Sequence, residues 1–226
     1  MPYHSDFDTV PATAPEGFEA MATSRIPRIP SAKGPLADGR RERSRSSRSR
    51  IAAAMLDLVA KGEVAPSAAQ VAEVAGVGLR SVFRHFKDMD ALYREMTEAI
   101  EAQVLPILLR PPEGAGWKDR IHDLAGRRAR IFETIMPFRI SANVRRFESP
   151  YLMQDYQRLL RLEAETLGAH LPEAVRADGV GAQALGVILS FNTWRLLRHD
   201  QGLPVEQAKA VVLRLLDDAM ARWTEA

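Results

Sequence analysis

The stretch "AGVGLRSVFRHF", residues 75–86, joins a glycine-centred turn to a short amphipathic segment. Gly76 suits the left-handed backbone conformation that ends a helix sharply, and Val77 is placed to fill the turn. Val82 and Phe86 are four positions apart, which puts both on the inner face of a helix and leaves the neighbouring arginines on the outer face. The stretch therefore predicts a sharp turn followed by a short helix with a cationic surface.

Two helical segments precede this turn. Apolar residues recur at helical spacing over about 46–61, which predicts a first helix there. Ser67 followed by Gln70 has the form of a capping box, so a second short helix begins at that point, and its buried side consists of small residues. With a third helix over about 78–86, the pattern predicts a compact unit of three short helices.

The second and third predicted helices, with the turn between them, have the shape of a helix-turn-helix. In that motif the second helix enters the major groove of DNA, where a guanidinium group recognises guanine. The same pattern is typical of a plain corner between two core helices. The residues of 67–86 alone therefore leave DNA reading and core packing open.

Positive charge is concentrated just before this unit. The chain of 226 residues has a formal net charge of +2, but residues 1–50 hold nine Lys+Arg against six Asp+Glu. Within them "RRERSRSSRSR", residues 40–50, carries six arginines. Such a block is typical of a solvated, self-repelling segment, and it also suits an arm that neutralises DNA phosphates or enters a minor groove. An arginine-serine tract also suits RNA binding or phosphorylation.

Two quoted stretches resemble the DNA-binding domain of the TetR family of transcriptional regulators. They are "RSRIAAAMLDLVAKG" (48–62) and "SAAQVAEVAGVGLRSVFRHFKDMDALYREM" (67–96). The shared features are a second helix rich in small residues, Ala-Gly-Val at the turn, an aromatic-Arg-His-Phe ending and Ala-Leu on the next helix. The resemblance implies three short helices and a fourth helix that leads into a helical ligand-binding domain.

By this resemblance the third helix supplies most contacts to DNA. Leu79, Arg80 and Ser81 correspond to family positions that touch base edges, and Phe83 and His85 to positions that contact the DNA backbone. Arginine is chemically the best equipped residue for either task, because its fork binds guanine or phosphate through two hydrogen bonds. The full set of predicted DNA-binding residues is Arg48, Arg50, Ser67, Leu79, Arg80, Ser81, Phe83, Arg84, His85 and Lys87.

Three residues depart from the family pattern. Phe83 stands where Tyr is usual and Met89 where Lys is frequent, which removes two contacts to phosphate. Gly78 stands where Ser or Thr usually caps the helix, which weakens its start by about a few tenths of a kcal/mol. Lys87 and the arginines of 40–50 would compensate. The departures also keep open an alternative function, a helical interaction protein whose head no longer reads DNA.

The remainder of the chain predicts longer helices, over 89–109, 117–135, 138–147, 151–169, 173–200 and 205–224. No stretch alternates as a strand does, so the predicted fold class is all-α, a three-helix head on a larger helical bundle. The predicted domains are a disordered tail with a basic arm, a helix-turn-helix domain, and a helical ligand-binding and dimerisation domain, over 1–45, 46–92 and 93–226 respectively.

The last two predicted helices are similar to the C-terminal pair of the TetR family, on "SFNTWRLLR" (190–198) and the Gly-Leu loop that follows. In the family this pair forms a four-helix bundle with its copy, which implies a homodimer. Two-fold symmetry would then set two reading heads about one DNA turn, ~34 Å, apart on a palindromic operator. Packing within one chain is the alternative use of these helices.

Aromatic side chains and methionines are concentrated in the middle of the chain. They suit an apolar cavity for a small effector, and equally a plain core. The residues predicted to bind the ligand are Trp117, Phe132, Met136, Phe138, Phe147, Tyr151, Phe191 and Trp194. His122, Arg139 and Asn143 are the predicted polar contacts.

Several functional classes find no support in the sequence. The chain has no cysteine, and Gly-x-Ser-x-Gly, Walker and His-Glu-x-x-His motifs do not occur. We therefore predict no enzymatic activity, catalytic residue, metal or cofactor. No stretch approaches the ~20 apolar residues of a membrane span and no secretory signal is recognisable, so we predict a cytoplasmic location. The predicted function is a ligand-responsive regulator of transcription, a repressor that a small apolar effector releases from a palindromic operator.

Overall fold

The computed structural model describes residues 39–223, with side chains from Arg45 onward. Over this range the chain consists of helices and connecting loops, without a strand. The helices are α1 Gly39–Ala60, α2 Ala68–Val74, α3 Leu79–His85, α4 Met89–Leu108, α5 Trp117–Arg145, α6 Pro150–Gly168, α7 Glu173–Ala177, α8 Gly179–Ile188, α9 Phe191–Arg195 and α10 Val205–Met220. The predicted all-α fold class is confirmed.

Helices α1, α2 and α3 pack into an N-terminal head. The capping box predicted at the start of α2 is present. The backbone N–H of Gln70 donates to Ser67 Oγ, and the backbone N–H of Ser67 donates to Gln70 Oε1 at 2.8 Å. Gly76 has φ +62°, and a Cβ there would meet nothing within 4 Å, so the turn requires glycine for its backbone conformation alone. Val82 and Phe86 are buried, as predicted.

The first helix begins at Gly39, so the prediction of a disordered tail is wrong for residues 39–45. Arginine is a good helix former, and neither glycine nor proline interrupts residues 40–60. A helix anchored by the buried residues of 51–59 therefore extends back through the basic block. The predicted tail over 1–38 lies outside the described residues.

The helix α5 runs unbroken from Trp117 to Arg145, so the predicted break between 135 and 138 is wrong. Pro137 lies inside this helix, and Met136 and Phe138 on either side of it are buried. Packing of these side chains holds the helical path even though proline removes one backbone hydrogen bond. Helix α5 forms the centre of the body, in contact with α4, α6 and α10.

The single long helix predicted over 173–200 is instead divided into α7, α8 and α9, and α9 continues as a π-helical turn over Leu196–Asp200. Two short polar side chains cap the N-termini of α8 and α9. The side chain of Asp178 accepts from the Gly181 amide, and that of Ser190 accepts from the Thr193 amide. Helix α10 packs against both α5 and α8.

Polar contacts fix the head to the body. Ser149 Oγ, at the start of α6, donates to Asp90 Oδ1 at 2.6 Å, near the start of α4. Arg145 Nη2, at the end of α5, donates to the Ala65 carbonyl of the head at 3.4 Å. Helix α4 therefore leaves the head in a defined direction. Among residues 39–223, no helix has both the length and the apolar composition that crossing a bilayer requires.

Candidate nucleic-acid interface and internal cavity

The exposed face of α3 combines apolar and cationic side chains. Leu79 and Phe83, one helical turn apart, are 47% and 50% exposed. Arg80 and Arg84 are exposed beside them, and Arg84 Nη2 donates to Ser81 Oγ at 3.2 Å. Base edges in the major groove offer guanine acceptors and thymine methyl groups. The face of α3 therefore carries side chains that match both kinds of group.

The cations of this face have no acidic partner in the part of the chain with described side chains. Arg80, Arg84 and Lys87 form no ion pair within residues 45–223, whereas Arg145, for example, is paired with Glu148 at 2.8 Å. Unpaired cations attract phosphate and release its counterions on binding. The positive field of α3 is thus directed to solvent and to any anion that approaches it.

Arg48 has a structural role in the head. Its Nε and Nη2 donate to Glu95 Oε2 at 3.1 and 2.6 Å, and its Nη1 donates to the His85 carbonyl at 2.7 Å. The guanidinium carbon lies 4.3 Å from the centroid of the Phe86 ring. Arg48 is also one of the predicted DNA contacts. In the folded chain its N–H groups hydrogen-bond to the end of α3 and to α4, and so connect both to α1.

The side chain of His85 is half-buried. Its Nε2 is buried without a hydrogen-bond partner among the described residues. Burial, with Arg84 and Arg48 close by, lowers the pKa of His85 below its ordinary value, so the imidazole is neutral near pH 7. The Nε2 atom is therefore not placed for the predicted contact to the DNA backbone. Arg50 and Ser67 are exposed, and the Ser67 hydroxyl is engaged in the capping box.

A cavity of about 340 Å³ lies in the body between α4, α5 and α6. This volume is within the range of small-molecule sites, roughly 300–1,000 Å³. Most of the wall is apolar. The main apolar contributors are Met96, Ile100 and Val104 from α4, Ile131, Phe132, Ile135 and Phe138 from α5, and Leu152, Leu159 and Leu162 from α6.

Two groups of charged side chains interrupt the apolar wall. In the first, the rim cluster, Arg158 Nη2 binds Asp155 Oδ1 at 2.6 Å and also binds Glu101 Oε1. Arg158 and Glu101 are both exposed for nearly half of their side-chain surface. Water therefore screens the charges of the rim cluster.

The second group, the inner cluster, consists of Arg128, Arg139 and Glu163. Arg139 Nη1 donates to Glu163 Oε1 at 2.9 Å. Arg128 donates to the Leu189 carbonyl at 3.1 Å, to Thr166 Oγ1 at 2.8 Å and to the Glu163 carbonyl. Burial lowers the pKa of Arg128 to about 10, which still leaves this guanidinium charged at neutral pH.

The fold of this chain occurs in proteins of known structure. Neither family models nor curated proteins match the chain. A transcriptional regulator from Rhodococcus sp. Rha1 matches with 19% identity and a TM-score of 0.60, over 77% of this chain and 96% of the other. A protein from Rhodococcus sp. assigned to the TetR family of transcriptional regulators matches with 16% identity and a TM-score of 0.56, over 79% of this chain and 99% of the other. The chain has the fold of these two proteins. The fold implied by the sequence resemblance is therefore confirmed.

Within this fold, some of the residues predicted to bind the ligand line the cavity. Phe132 and Phe138 are in its wall, as are Arg139 and Asn143 among the predicted polar contacts. His122 is not, because its Nε2 lies 2.8 Å from Asp217 Oδ1. The aromatic residues of α5 thus indicate the position of the cavity.

The other six predicted aromatic and methionine residues lie outside the cavity wall. Phe191 packs behind Phe132 with ring centroids 5.5 Å apart, and Trp194 Nε1 donates to Glu133 at 2.8 Å. Trp117 packs edge-on against Trp223. Met136 is buried in the core. The ring of Tyr151 stacks against the guanidinium group of Arg94, and Phe147 is exposed beside Arg146.

Sequence reasoning missed the aliphatic wall from α4 and α6 and the inner cluster. Aliphatic residues such as Ile100 and Leu159 carry the same helical periodicity whether they line a cavity or fill a core. One signal was present in the sequence. Arg128 falls on the buried side of α5, between the apolar positions Leu124 and Phe132, where a charged residue needs a specific reason.

A second exposed surface lies on α8 and α10. Val187 on α8 is 65% exposed and Leu215 on α10 is 42% exposed, and Val180 and Val211 are exposed on the same two helices. Val180 and Val187 are seven positions apart, and Val211 and Leu215 four, so each pair lies along one face of its helix. Two packed helices thus present apolar side chains to solvent.

Proposed function

We propose that the chain is a DNA-binding transcriptional regulator of the TetR family, in which α3 enters the major groove. The observation that carries this proposal is the face of α3, where unpaired arginines flank two exposed apolar side chains directly after a tight glycine turn. Arg80 and Leu79 are the proposed contacts to base edges. Phe83, Arg84 and Lys87 are the proposed contacts to the DNA backbone.

We infer that the regulator is a homodimer formed through α8 and α10. Exposed valine and leucine side chains on two adjacent helices are unfavourable in water, and a second copy of the chain would cover them. A two-fold axis presents the same surface twice and would set two copies of α3 on one face of a palindromic operator.

The cavity is the proposed effector site, and α4 is the proposed link to the head. Glu95 of α4 holds Arg48 and, through it, the end of α3, while the next residue, Met96, lines the cavity. An effector that binds a DNA-incompatible position of α4 more tightly would release a repressor from DNA. Couplings of this kind are typically about 1–3 kcal/mol.

Binding of the purified protein to duplex DNA selected from a random pool tests the regulator proposal. We expect the observed affinity to fall with salt, with a slope of log K against log[salt] near −0.9 for each phosphate neutralised. Fluorescence anisotropy at several salt concentrations measures this slope. A protein that binds no duplex even at low ionic strength would contradict the proposal and favour the helical interaction protein.

The basic half of α1 gives a separate prediction. Arg45 and Arg50 are exposed and form no ion pair within the described part of the chain. If both contact phosphates, Arg45→Gln with Arg50→Gln weakens all DNA sequences alike and reduces the salt slope by about 2. Arg130→Gln on α5, an exposed arginine outside the head and outside α8 and α10, is the control, and its slope should equal that of the wild type. An unchanged slope in the double variant would exclude phosphate contacts by Arg45 and Arg50.

A further inference from the structure

The inner cluster holds more positive than negative charge. Two guanidinium groups, of Arg128 and Arg139, face the single carboxylate of Glu163, and that carboxylate is bound to Arg139. Arg128 has only carbonyl and hydroxyl oxygens as hydrogen-bond acceptors. Arg127, the other neighbouring cation, adds to the positive potential, although it is itself paired with Asp123. The cluster therefore carries an excess of one positive charge.

This excess is buried. Arg128 and Arg139 are only 6% and 8% exposed, so water does little to offset it. A buried charge without a partner is unfavourable, and proteins normally pair such a group. By contrast, the rim cluster has its excess, one negative charge, at the exposed side of the cavity. The unscreened field in the cavity is therefore that of the inner cluster.

Arg139 also has an unused binding edge. Its Nη1 is bound to Glu163, but Nε is buried without an acceptor, and no described residue accepts from Nη2. In a guanidinium group, the single N–H bond of Nε and one N–H bond of Nη2 are parallel and lie on the same edge. This edge binds a carboxylate through two parallel hydrogen bonds. The Phe191 ring, 4.5 Å from the guanidinium carbon, supports the other side of the group.

We propose that the cavity binds an apolar molecule that carries one carboxylate, and that this carboxylate pairs with the guanidinium group of Arg139 beside Arg128. That such a molecule acts as the effector rests on the proposed function. The binding itself does not, because it requires only the cavity and the inner cluster. An apolar chain would lie between the aliphatic side chains of α4 and α6, with the anion at Arg139.

The volume sets the size of this molecule. A water molecule occupies about 30 Å³ in the liquid, so a cavity of about 340 Å³ corresponds to roughly eleven non-hydrogen atoms. Decanoate, an unbranched ten-carbon carboxylate, is of this size. Its matched analogues 1-decanol and decylamine have the same chain with a neutral and a cationic head.

Calorimetric titration of the full-length protein in the absence of DNA tests the proposal, with each probe below its micelle concentration. We expect decanoate to bind at least about tenfold more tightly than 1-decanol, because a charge-assisted pair replaces a neutral hydrogen bond. Decylamine should bind most weakly of the three. Equal binding of decanoate and 1-decanol, or a preference for decylamine, would overturn the proposal.

Two variants of the inner cluster should change decanoate binding in opposite directions. Glu163→Gln retains an acceptor for Arg139 but removes the competing negative charge, so decanoate should bind several-fold more tightly. Arg139→Gln combined with Glu163→Gln removes the fork without leaving a buried carboxylate unpaired, and Arg128 keeps the excess of one positive charge. The preference for decanoate over 1-decanol should therefore fall several-fold through the loss of the fork alone. Weaker decanoate binding by Glu163→Gln, or an unchanged preference in the double variant, would refute the assignment of Arg139.

Controls separate this site from general effects. Arg130→Gln alters an exposed arginine of the same helix that does not line the cavity, and its titrations should match the wild type. The titration and the DNA-binding assay fail independently. A protein that binds decanoate as expected but no duplex would retain this inference and lose the proposed function, and the reverse result would lose only this inference.

Discussion

Replacing Val187 and Leu215 with glutamate is expected to convert the protein to a monomer and to lower its affinity for a palindromic operator at least about 100-fold. Both side chains are exposed in the single chain, so the fold tolerates a charge at either position. In a symmetric interface each charge occurs twice and is removed from water. Loss of the dimer also removes the effective concentration with which the second head binds, typically a factor of about 10²–10⁴.

Sedimentation equilibrium gives the oligomeric state, and anisotropy with full and half operators gives the two affinities. The monomer should bind a full operator no more tightly than a half operator. Leu160→Glu on α6 is a matched control, since Leu160 is 38% exposed, similar to Leu215, but lies outside α8 and α10. A double variant that stays dimeric would exclude α8 and α10 as the interface.

The head was predictable because its signals are local. A capping box spans four residues, and the turn at Gly76 depends on one backbone angle, so both are visible in a short window of sequence. The role of Arg48 was not visible in this way. Its partners His85 and Glu95 are distant in sequence, and the segment around it has the composition of a solvated arm.

The cavity was predictable in position but not in detail. The aromatic residues Phe132 and Phe138 of α5 indicated a pocket in the body, and both line it. Phe191 and Trp194 have the same composition but pack on the other side of this wall. Hydrophobicity predicts that a side chain is buried. Whether it packs against a neighbour or lines a cavity depends on how the three helices pack together.

The prediction of helix boundaries in the C-terminal region was wrong for a related reason. The apolar pattern of 173–200 is continuous enough to predict one helix, and the polar side chains of Asp178 and Ser190 look like ordinary interruptions of it. In the folded chain each instead caps a new helix. The breaks allow α8 to pack on α10 and leave Val187 exposed on the surface proposed for the dimer.

Replacing Arg80 with alanine is expected to reduce affinity for the selected operator by about 1–3 kcal/mol and to relax the preference at one base pair of each half-site. Arg80 is exposed on α3 and forms no ion pair in the described region, so its removal leaves the fold of the head intact. Arg84→Ala is expected to weaken specific and non-specific DNA to a similar extent, because phosphate contacts carry no sequence information. Anisotropy with the selected operator and with single-base variants of it measures both effects.

Arg80→Lys separates charge from geometry, since lysine retains the positive charge but lacks the fork that binds two acceptors of guanine. We expect this variant to keep most of the non-specific affinity and to lose most of the base preference. Arg130→Ala, an exposed arginine of the body, is the control for a general change in net charge. If Arg80→Ala discriminated among base variants as well as the wild type does, base reading would have to be assigned to other side chains of α3. The first of these is Leu79, which is 47% exposed on the same face.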